Sequence, residues 1–283
     1  MTFNSDQPMI ITKKYFNLAP RHVVETAIEM NADSMVALDF PIRKIKDPYE
    51  REKEFRKKLE YNVPWAIETA KLRKELCPNI ILFIPIQAYS LEQFEKFYTR
   101  LRGIDFDGFS FPVRNMEMTD IAAFLLKMHK WGIRKAHVLG SSSLKVIIVC
   151  AYMSQHFFDF ISFDATSWRK GAQHGKFLNP NDLSSKNLNK SGSYDPKYRC
   201  YCQSCKGRTL GQIAAFGKTR ERIEILMTHN FLAIYNITKE FSERSIDLEF
   251  LRERFKGNKR RYISEILRDM SKIEAMCLMK KAA

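Results

Sequence analysis

The chain has 283 residues, of which 47 are Lys or Arg and 32 are Asp or Glu, so its formal charge is +15. A hydrophobic fraction of 45% supplies a substantial core and excludes intrinsic disorder for most of the chain. Six cysteines are too few for a disulfide scaffold, and no apolar run reaches the roughly 18 residues of a membrane-spanning helix. The N-terminus lacks the pattern of a signal peptide, so we expect a cytoplasmic protein. The positive charge favours a polyanionic partner, with nucleic acid as the first candidate.

Apolar runs rich in β-branched and aromatic residues predict β-strands at residues 34–40, 79–86, 108–113, 135–139 and 158–163, with a weaker candidate at 9–12. Amphipathic patterns predict helices at residues 20–30, 48–76, 91–101, 116–131, 142–155, 219–240, 248–255 and 262–279. Alternation of strands and helices predicts parallel βαβ units. The residues alone do not choose between a doubly wound sheet and a (β/α)8 barrel.

The periodic pattern stops after residue 163. Residues 169–208 contain nine Lys or Arg against two acidic residues. This stretch is either a solvated loop or, because it ends at a cysteine cluster, an ordered element. We predict three parts: a parallel β/α barrel portion (1–165), a basic insertion with a metal subdomain (166–235), and C-terminal helices that pack on the barrel (236–283).

Three cysteines within six residues form the strongest local motif. Cys200, Cys202 and Cys205 are followed by His229, which gives the Cys3His set of a structural zinc site. The alternative is three free thiols beside an unrelated histidine, and the clustering of half of the cysteines argues against it. A catalytic zinc deaminase would need a His-x-Glu segment, which the chain lacks. We interpret the remaining cysteines, Cys77, Cys150 and Cys277, as buried apolar residues.

Polar or special residues stand at the ends of four predicted strands. They are Asp39 in LDFP, Gln87 in IPIQ, Gly140 in HVLG and Asp164 in FDAT. The carboxyl ends of parallel strands are where α/β folds place their active sites. Each residue alone has another explanation, as a helix cap or a turn residue, but four at successive strand ends are harder to explain in that way.

These segments, in this order, resemble the tRNA-guanine transglycosylase family. LDFP, IPIQ, HVLG and FDATSWRKGAQHGKF match its strand-end segments, GFSFPV stands at its Gly-Gly-Leu segment, and the cysteines with His229 match its zinc motif. The resemblance covers roughly residues 33–236. It implies a (β/α)8 barrel, abbreviated at the N-terminus, with an inserted zinc-binding subdomain. It also implies replacement of guanine in a nucleic acid by a 7-deazaguanine such as 7-cyano-7-deazaguanine (preQ0).

The resemblance also assigns roles to individual residues. Asp164 would be the nucleophile that forms a covalent glycosyl intermediate. Asp39 and Gln87 would bind the base. The backbone that lines the base pocket would come from Ser110, Phe111, Leu139 and Gly140. Structural Zn2+ is the implied cofactor.

The basic insertion is expected to contact the nucleic-acid backbone. The side chains concerned are Arg169, Lys170, Lys176, Lys197, Arg199, Lys206 and Arg208.

The chain departs from the family at an early strand, where Asp-Ser-Gly-Gly is usual and only Asp6 in NSD is a substitute. Its length favours the shorter DNA-acting relatives slightly over the tRNA-acting ones. Two other functions stay open: a non-catalytic partner subunit of a heteromeric transglycosylase, and a zinc-stabilised nucleic-acid-binding module. A homodimer is implied by resemblance, and no membrane partner is expected.

Overall fold

The computed structural model describes residues 10, 11, 16–43, 45–113 and 116–281. In these residues the strands are β1 (Ile10–Ile11), β2 (Phe16–Asn17), β3 (Ser34–Val36), β4 (Ile81–Pro85), β5 (Gly108–Pro112), β6 (Lys135–Leu139), β7 (Phe160–Phe163), β8 (Lys176–Leu178) and β9 (Ser185–Asn187). The helices are α1 (Pro20–Glu29), α2 (Pro48–Leu76), α3 (Leu91–Arg100), α4 (Met118–Lys130), α5 (Leu144–Phe157), α6 (Ser167–Gln173), α7 (Leu210–Ala215), α8 (Arg220–Glu243), α9 (Leu248–Arg254) and α10 (Arg261–Lys281).

Strands β3 to β7 form one parallel sheet in the order β3-β4-β5-β6-β7. Strand order therefore follows chain order without a reversal. A doubly wound sheet reverses its order at a switch point, whereas a (β/α)8 barrel does not. The sheet confirms the predicted α/β barrel class, with five barrel strands inside the described part of the chain.

Strand β3 is shorter than the predicted strand at 34–40. It ends at Val36, although the Ala37 N–H still bonds to the Phe83 carbonyl on β4 at 2.9 Å. The backbone of Phe40 is bonded instead to the side chain of Asn62 on α2. Because those backbone groups are already paired, they cannot extend the sheet. The weaker candidate at 9–12 lies partly outside the described residues, and β1 occupies its centre.

All eight predicted helices are present, with ends within about three residues of the predictions. Helices α6 and α7 and the antiparallel hairpin of β8 and β9 were not predicted. Each is too short for a hydrophobic period to be read. The basic insertion therefore contains part of a helix and a hairpin, whereas residues 188–209 lie outside the helices and strands.

The contacts divide the chain into two compact units. One comprises Met1–Val113, Ala123–Leu139 and Phe157–Ser162, and the other Arg114–Ala122, Gly140–His156 and Phe163–Ala283. The second has a small core of its own, formed by Ala172, Phe177, Leu188, Cys200, Cys205, Leu210, Ile213 and Leu226. The predicted three-part division stays a prediction. Across the described residues, none of the helices has the length and apolar content needed to cross a membrane.

Candidate functional site

Asp39 and Gln87 meet beyond the carboxyl ends of β3 and β4. The Gln87 side-chain amide donates a 2.5 Å hydrogen bond from Nε2 to Asp39 Oδ2. Its Oε1 accepts a 3.3 Å bond from the Ile42 N–H. Gln87 is buried and Asp39 is half-buried. The pair presents a carboxylate whose partner fixes its orientation, which suits recognition of the N–H groups of a base.

The Asp39 carboxyl group is less acidic than an ordinary aspartate. Burial raises its pKa from 3.8 to about 6, while the bonds from Gln87 and from the Asp39 backbone limit the rise. Above that pH the ionised carboxylate accepts charge-assisted hydrogen bonds.

Helix α2 holds the chain segment that follows Asp39. Asn62 accepts from the Phe40 N–H at 2.6 Å and donates to the Phe40 carbonyl at 3.2 Å. Glu54 on the same helix is buried, accepts from the Arg43 N–H at 3.2 Å and pairs with the Arg43 guanidinium at 3.1 Å. These bonds fix the backbone on the carboxyl side of Asp39, so the carboxylate is supported by a rigid helix.

Strands β5, β6 and β7, which follow β4 in the sheet, each carry one polar side chain: Ser110, His137 and Ser162. Ser110 is the register partner of His137, so both side chains point to the same face. His137 Nδ1 lies 2.7 Å from Ser162 Oγ on β7. The Ser110 hydroxyl is fully buried and has no hydrogen-bond partner among the described residues. Sequence reasoning did not propose His137 or Ser162, although each interrupts an apolar strand with a polar side chain.

Phe111 points to the other face of β5. Its ring stacks on Phe124 of α4 at 5.7 Å, in the helix layer of the fold. Leu139, the last residue of β6, accepts a bond from the Val113 N–H at 3.2 Å through its carbonyl. Of these four predicted pocket residues, Ser110 alone has a polar side chain that points away from the helix layer. Phe111 could contact a base only through its backbone.

Asp164 directly follows β7 and is exposed. Its Oδ1 accepts a 2.7 Å hydrogen bond from the backbone N–H of Gly140, which directly follows β6. Gly140 has a φ of +84°, a left-handed conformation that favours glycine. The structure therefore brings together two of the predicted strand-end residues, and a backbone donor orients the carboxylate.

The Cys3His residues converge in the second unit. Their ligand atoms lie within 4.8 Å of one another. His229 Nδ1 is 3.6 Å from Cys200 Sγ, 3.3 Å from Cys202 Sγ and 3.6 Å from Cys205 Sγ. A tetrahedral zinc ion with ordinary bond lengths places a nitrogen and a sulfur ligand about 3.6 Å apart. Three thiolates this close are stable only beside a cation, so the donor set and its spacing fit Zn2+.

Local structure explains how the four ligands meet. The cysteines occupy a tight loop closed by bonds from Lys206 N to the Cys202 carbonyl and from Gly207 N to the Cys200 carbonyl. His229 lies on α8, where its Nε2 is 2.8 Å from the Leu178 carbonyl and its ring stacks on Phe177 at 3.9 Å. An outer hydrogen bond of this kind fixes the ring and leaves Nδ1 for the metal.

The predicted phosphate-contacting side chains lie on the surface of the second unit. Six of the seven are exposed and Arg208 is half-buried. Among the described residues none of the seven has an ion-pair partner, whereas surface arginines such as Arg56 and Arg261 pair with a glutamate four residues away. Their charge is therefore available for an external anion.

The parallel sheet in chain order defines an α/β protein of the (β/α)-barrel class, and its Cys3His cluster could bind zinc. The family model of queuine tRNA-ribosyltransferase matches residues 6–256. The chain belongs to this family of transferases, which act on guanine bases in nucleic acid, and the predicted resemblance is confirmed. Comparison with individual curated proteins gives no match. Asp6, the substitute for the missing early carboxylate, lies outside the described residues.

Proposed function

We propose that the chain is a base-exchange transglycosylase that replaces guanine in a nucleic acid, DNA rather than tRNA, by a 7-deazaguanine such as preQ0. The observation that carries the proposal is the exposed carboxylate of Asp164 at the end of β7, oriented by the Gly140 N–H, in a chain of this transferase family.

The proposed reaction has two displacements at one carbon. Asp164 attacks C1′ of the target nucleotide, a C1′–O bond forms, and the C1′–N9 bond breaks with its electron pair leaving on guanine, which takes up a proton from water. The incoming base loses its N9 proton to water, attacks C1′ from the face opposite Asp164, and the C1′–O bond breaks to release the Asp164 carboxylate. Two inversions retain the configuration of the sugar, as in a retaining glycosidase.

Asp39 and Gln87 supply base recognition in this proposal. Ionised Asp39 accepts from the N–H groups of the base, and Gln87 bonds its carbonyl edge. The buried Ser110 hydroxyl supplies one more polar contact. The target base must leave its stack to reach such groups.

We assign a structural role to zinc in this proposal. Cys200, Cys202, Cys205 and His229 would hold it, and four protein ligands leave no open position for substrate. The ion would hold the cysteine loop against α8.

Labelled guanine and labelled 7-cyano-7-deazaguanine, each incubated with the protein and either tRNA or duplex DNA, test the activity. Incorporation into one polymer identifies the substrate. Binding of both polymers without incorporation into either would favour the non-catalytic alternative.

The raised pKa of Asp39 makes stability depend on pH. The folded state keeps the Asp39 proton up to about pH 6, whereas the unfolded state loses it near pH 3.8. The protonated carboxyl group therefore stabilises the folded state below about pH 4, and this contribution to the free energy of unfolding is lost as the pH rises to about 6. Asp39→Asn keeps the shape and removes this loss. We expect its unfolding free energy, relative to the parent, to rise by at most about 3 kcal/mol between pH 4 and pH 7. Urea unfolding at several pH values measures it.

Asp33→Asn, which changes an exposed carboxylate just before β3, is the control for that series. Its unfolding free energy should follow the parent at every pH. An Asp39→Asn curve parallel to the parent would remove the buried-carboxyl interpretation.

Nucleic-acid affinity should depend on the exposed lysines of the basic insertion. We expect the variant with Lys176, Lys197 and Lys206 all changed to Ala to bind more weakly at low salt. The slope of log affinity against log salt should fall by about 0.7–0.9 for each phosphate that the variant no longer neutralises. Lys272→Ala, at an exposed position on α10, removes a charge elsewhere and should leave the slope unchanged. Equal slopes in the triple variant and the parent would show that this surface does not bind phosphates.

A further inference from the structure

Three aromatic side chains lie side by side on the surface formed by α6 and α8. The Trp168 and Phe231 rings are 5.8 Å apart and nearly perpendicular, at 68°. The Phe231 and Tyr235 rings are 6.3 Å apart and nearly parallel, at 16°. Phe231 is 50% exposed and Tyr235 is 53% exposed. We call these three residues the aromatic ladder.

The helical period explains why the ladder faces outwards. Phe231 and Tyr235 are four residues apart on α8, so they share one face. His229 and Asn230 are buried on the opposite side, in the metal cluster and against α6. Adjacent exposed aromatic rings that the core has not absorbed commonly mark an interaction site.

Asn230 fixes the ladder to the segment that carries Asp164. Its Nδ2 donates to the carbonyls of Trp168 at 3.2 Å and Lys176 at 2.9 Å, and its Oδ1 accepts from the Leu178 N–H at 2.9 Å. Trp168 is four residues beyond Asp164 in the chain. Trp168, one ring of the aromatic ladder, therefore lies in the same short segment as the proposed nucleophile, and Asn230 anchors that segment to α8, which carries the other two rings.

The charges around the ladder favour an anionic partner. Arg169 and Lys170 follow Trp168, are exposed, and make no ion pair with described residues. Glu224, about two turns before Phe231 on the same face of α8, is already paired with Arg220 at 2.7 Å, so its charge is offset. Aromatic rings beside free cations are the pattern of single-stranded nucleic-acid sites, where bases stack and cations meet the phosphates.

A second copy of the chain is the competing occupant. Two half-exposed rings offer roughly 200 Å2 of surface. Each partner in a stable interface contributes about 800 Å2. The ladder alone is too small for that, and its cationic border would repel an identical border.

We propose that the aromatic ladder stacks unpaired bases that flank the target nucleotide of the nucleic-acid substrate. The proposal rests on the proposed function for its substrate class, since a base flipped out of a stack leaves neighbours that need new partners. It adds a site for the flanking nucleotides.

The test uses the full-length protein and a single-stranded oligonucleotide of about 12 nucleotides, as DNA and as RNA, with 2-aminopurine beside one guanine. For the double variant Phe231→Ala, Tyr235→Ala we expect the Kd to rise about 5- to 100-fold and the quenching of 2-aminopurine to disappear. The salt slope should stay unchanged, because the variant keeps every cation that meets a phosphate. Tyr235→Phe, which keeps the ring, should behave as the parent. Tyr49→Ala, at a position 76% exposed on α2, is the matched control.

A Kd and a quenching equal to those of the parent in a folded double variant would overturn the proposal. A second result would also overturn it: the parent sediments as a dimer, the double variant sediments as a monomer, and both bind the oligonucleotide equally well. A second copy of the chain would then occupy the ladder. Oligonucleotide binding requires no base exchange. If the protein binds the oligonucleotide through the ladder but never incorporates guanine, the proposed function is refuted and the binding site for flanking bases is retained.

Discussion

Asp164→Asn should abolish base exchange, with a loss of at least about a thousandfold in the rate of labelled guanine incorporation. The amide is not a nucleophile, so no C1′–O bond forms and no covalent adduct accumulates. The substitution preserves shape, and the amide oxygen still accepts the bond that the Gly140 N–H donates at 2.7 Å in the parent. We therefore expect the fold and the nucleic-acid affinity to stay near those of the parent. Initial rates and a denaturing gel that detects the protein–nucleic acid adduct measure both effects.

Two further variants give this experiment its controls. Asp159→Asn makes the same change at an exposed carboxylate just before β7 and should leave the rate unchanged. Asp39→Asn should weaken binding of the free base while a covalent adduct still forms, because the nucleophile is retained. An adduct that persists in Asp164→Asn would show that another residue attacks the sugar.

The sheet could be predicted because its inner strands β4 and β5 are buried on both faces. Parallel strands of this kind are continuously apolar, and β5 and β6 match the predicted runs to within one residue. The strand at 34–40 was predicted too long because Leu38 and Phe40 are also apolar and buried. Apolarity does not reveal that Asn62, 22 residues away, pairs with both backbone groups of Phe40 and so keeps Phe40 out of the sheet.

The parts of the candidate site that could be predicted lie within motifs. The four Cys3His residues, which could bind zinc, are marked by their spacing, and Asp39, Gln87 and Asp164 by their places after strands. The missed parts join distant segments: His137 meets Ser162 25 residues away, and Asn230 reaches Trp168 62 residues away. Neither pair has a local signature. Only the fold places them together.

Residues 252–261, which hold six Lys or Arg against one Glu, show the same limit for predictions from charge. A count of charged residues includes Arg260 in the excess of positive charge, and Asp182 is one of only two acidic residues in 169–208. In the fold, Arg260 pairs with the buried Asp182 and with Ser184, and Asn258 donates to the same carboxylate at 3.1 Å. The formal charge of residues 252–261 therefore overstates the positive charge that they can present to nucleic acid. The Lys and Arg side chains of the basic insertion that make no ion pair with described residues still present their full charge.

Loss of zinc should unfold the small core of the second unit. We expect the parent to hold one zinc ion per chain and Cys202→Ser, which removes one of the four proposed ligands, to hold only a small fraction of that. Structural zinc contributes on the order of 10 kcal/mol in small domains, which exceeds the stability of most such cores. Cys77→Ser, at a similarly half-buried cysteine distant from the cluster in sequence, should retain the zinc and the parent melting temperature. Metal analysis and thermal unfolding with and without a chelator measure both properties.

The same loss should also reduce base exchange, for a structural reason. His229 bonds the Leu178 carbonyl, and the adjacent Asn230 bonds the Trp168 carbonyl, so one turn of α8 holds both the metal loop and the segment after Asp164. When the metal loop opens, this turn loses its support and the segment is released. We therefore expect Cys202→Ser to lose activity and stability together, and added Zn2+ to restore neither. Parent protein that contains no zinc and melts at one temperature with or without chelator would contradict the structural role, because the four ligands would then be held by packing alone.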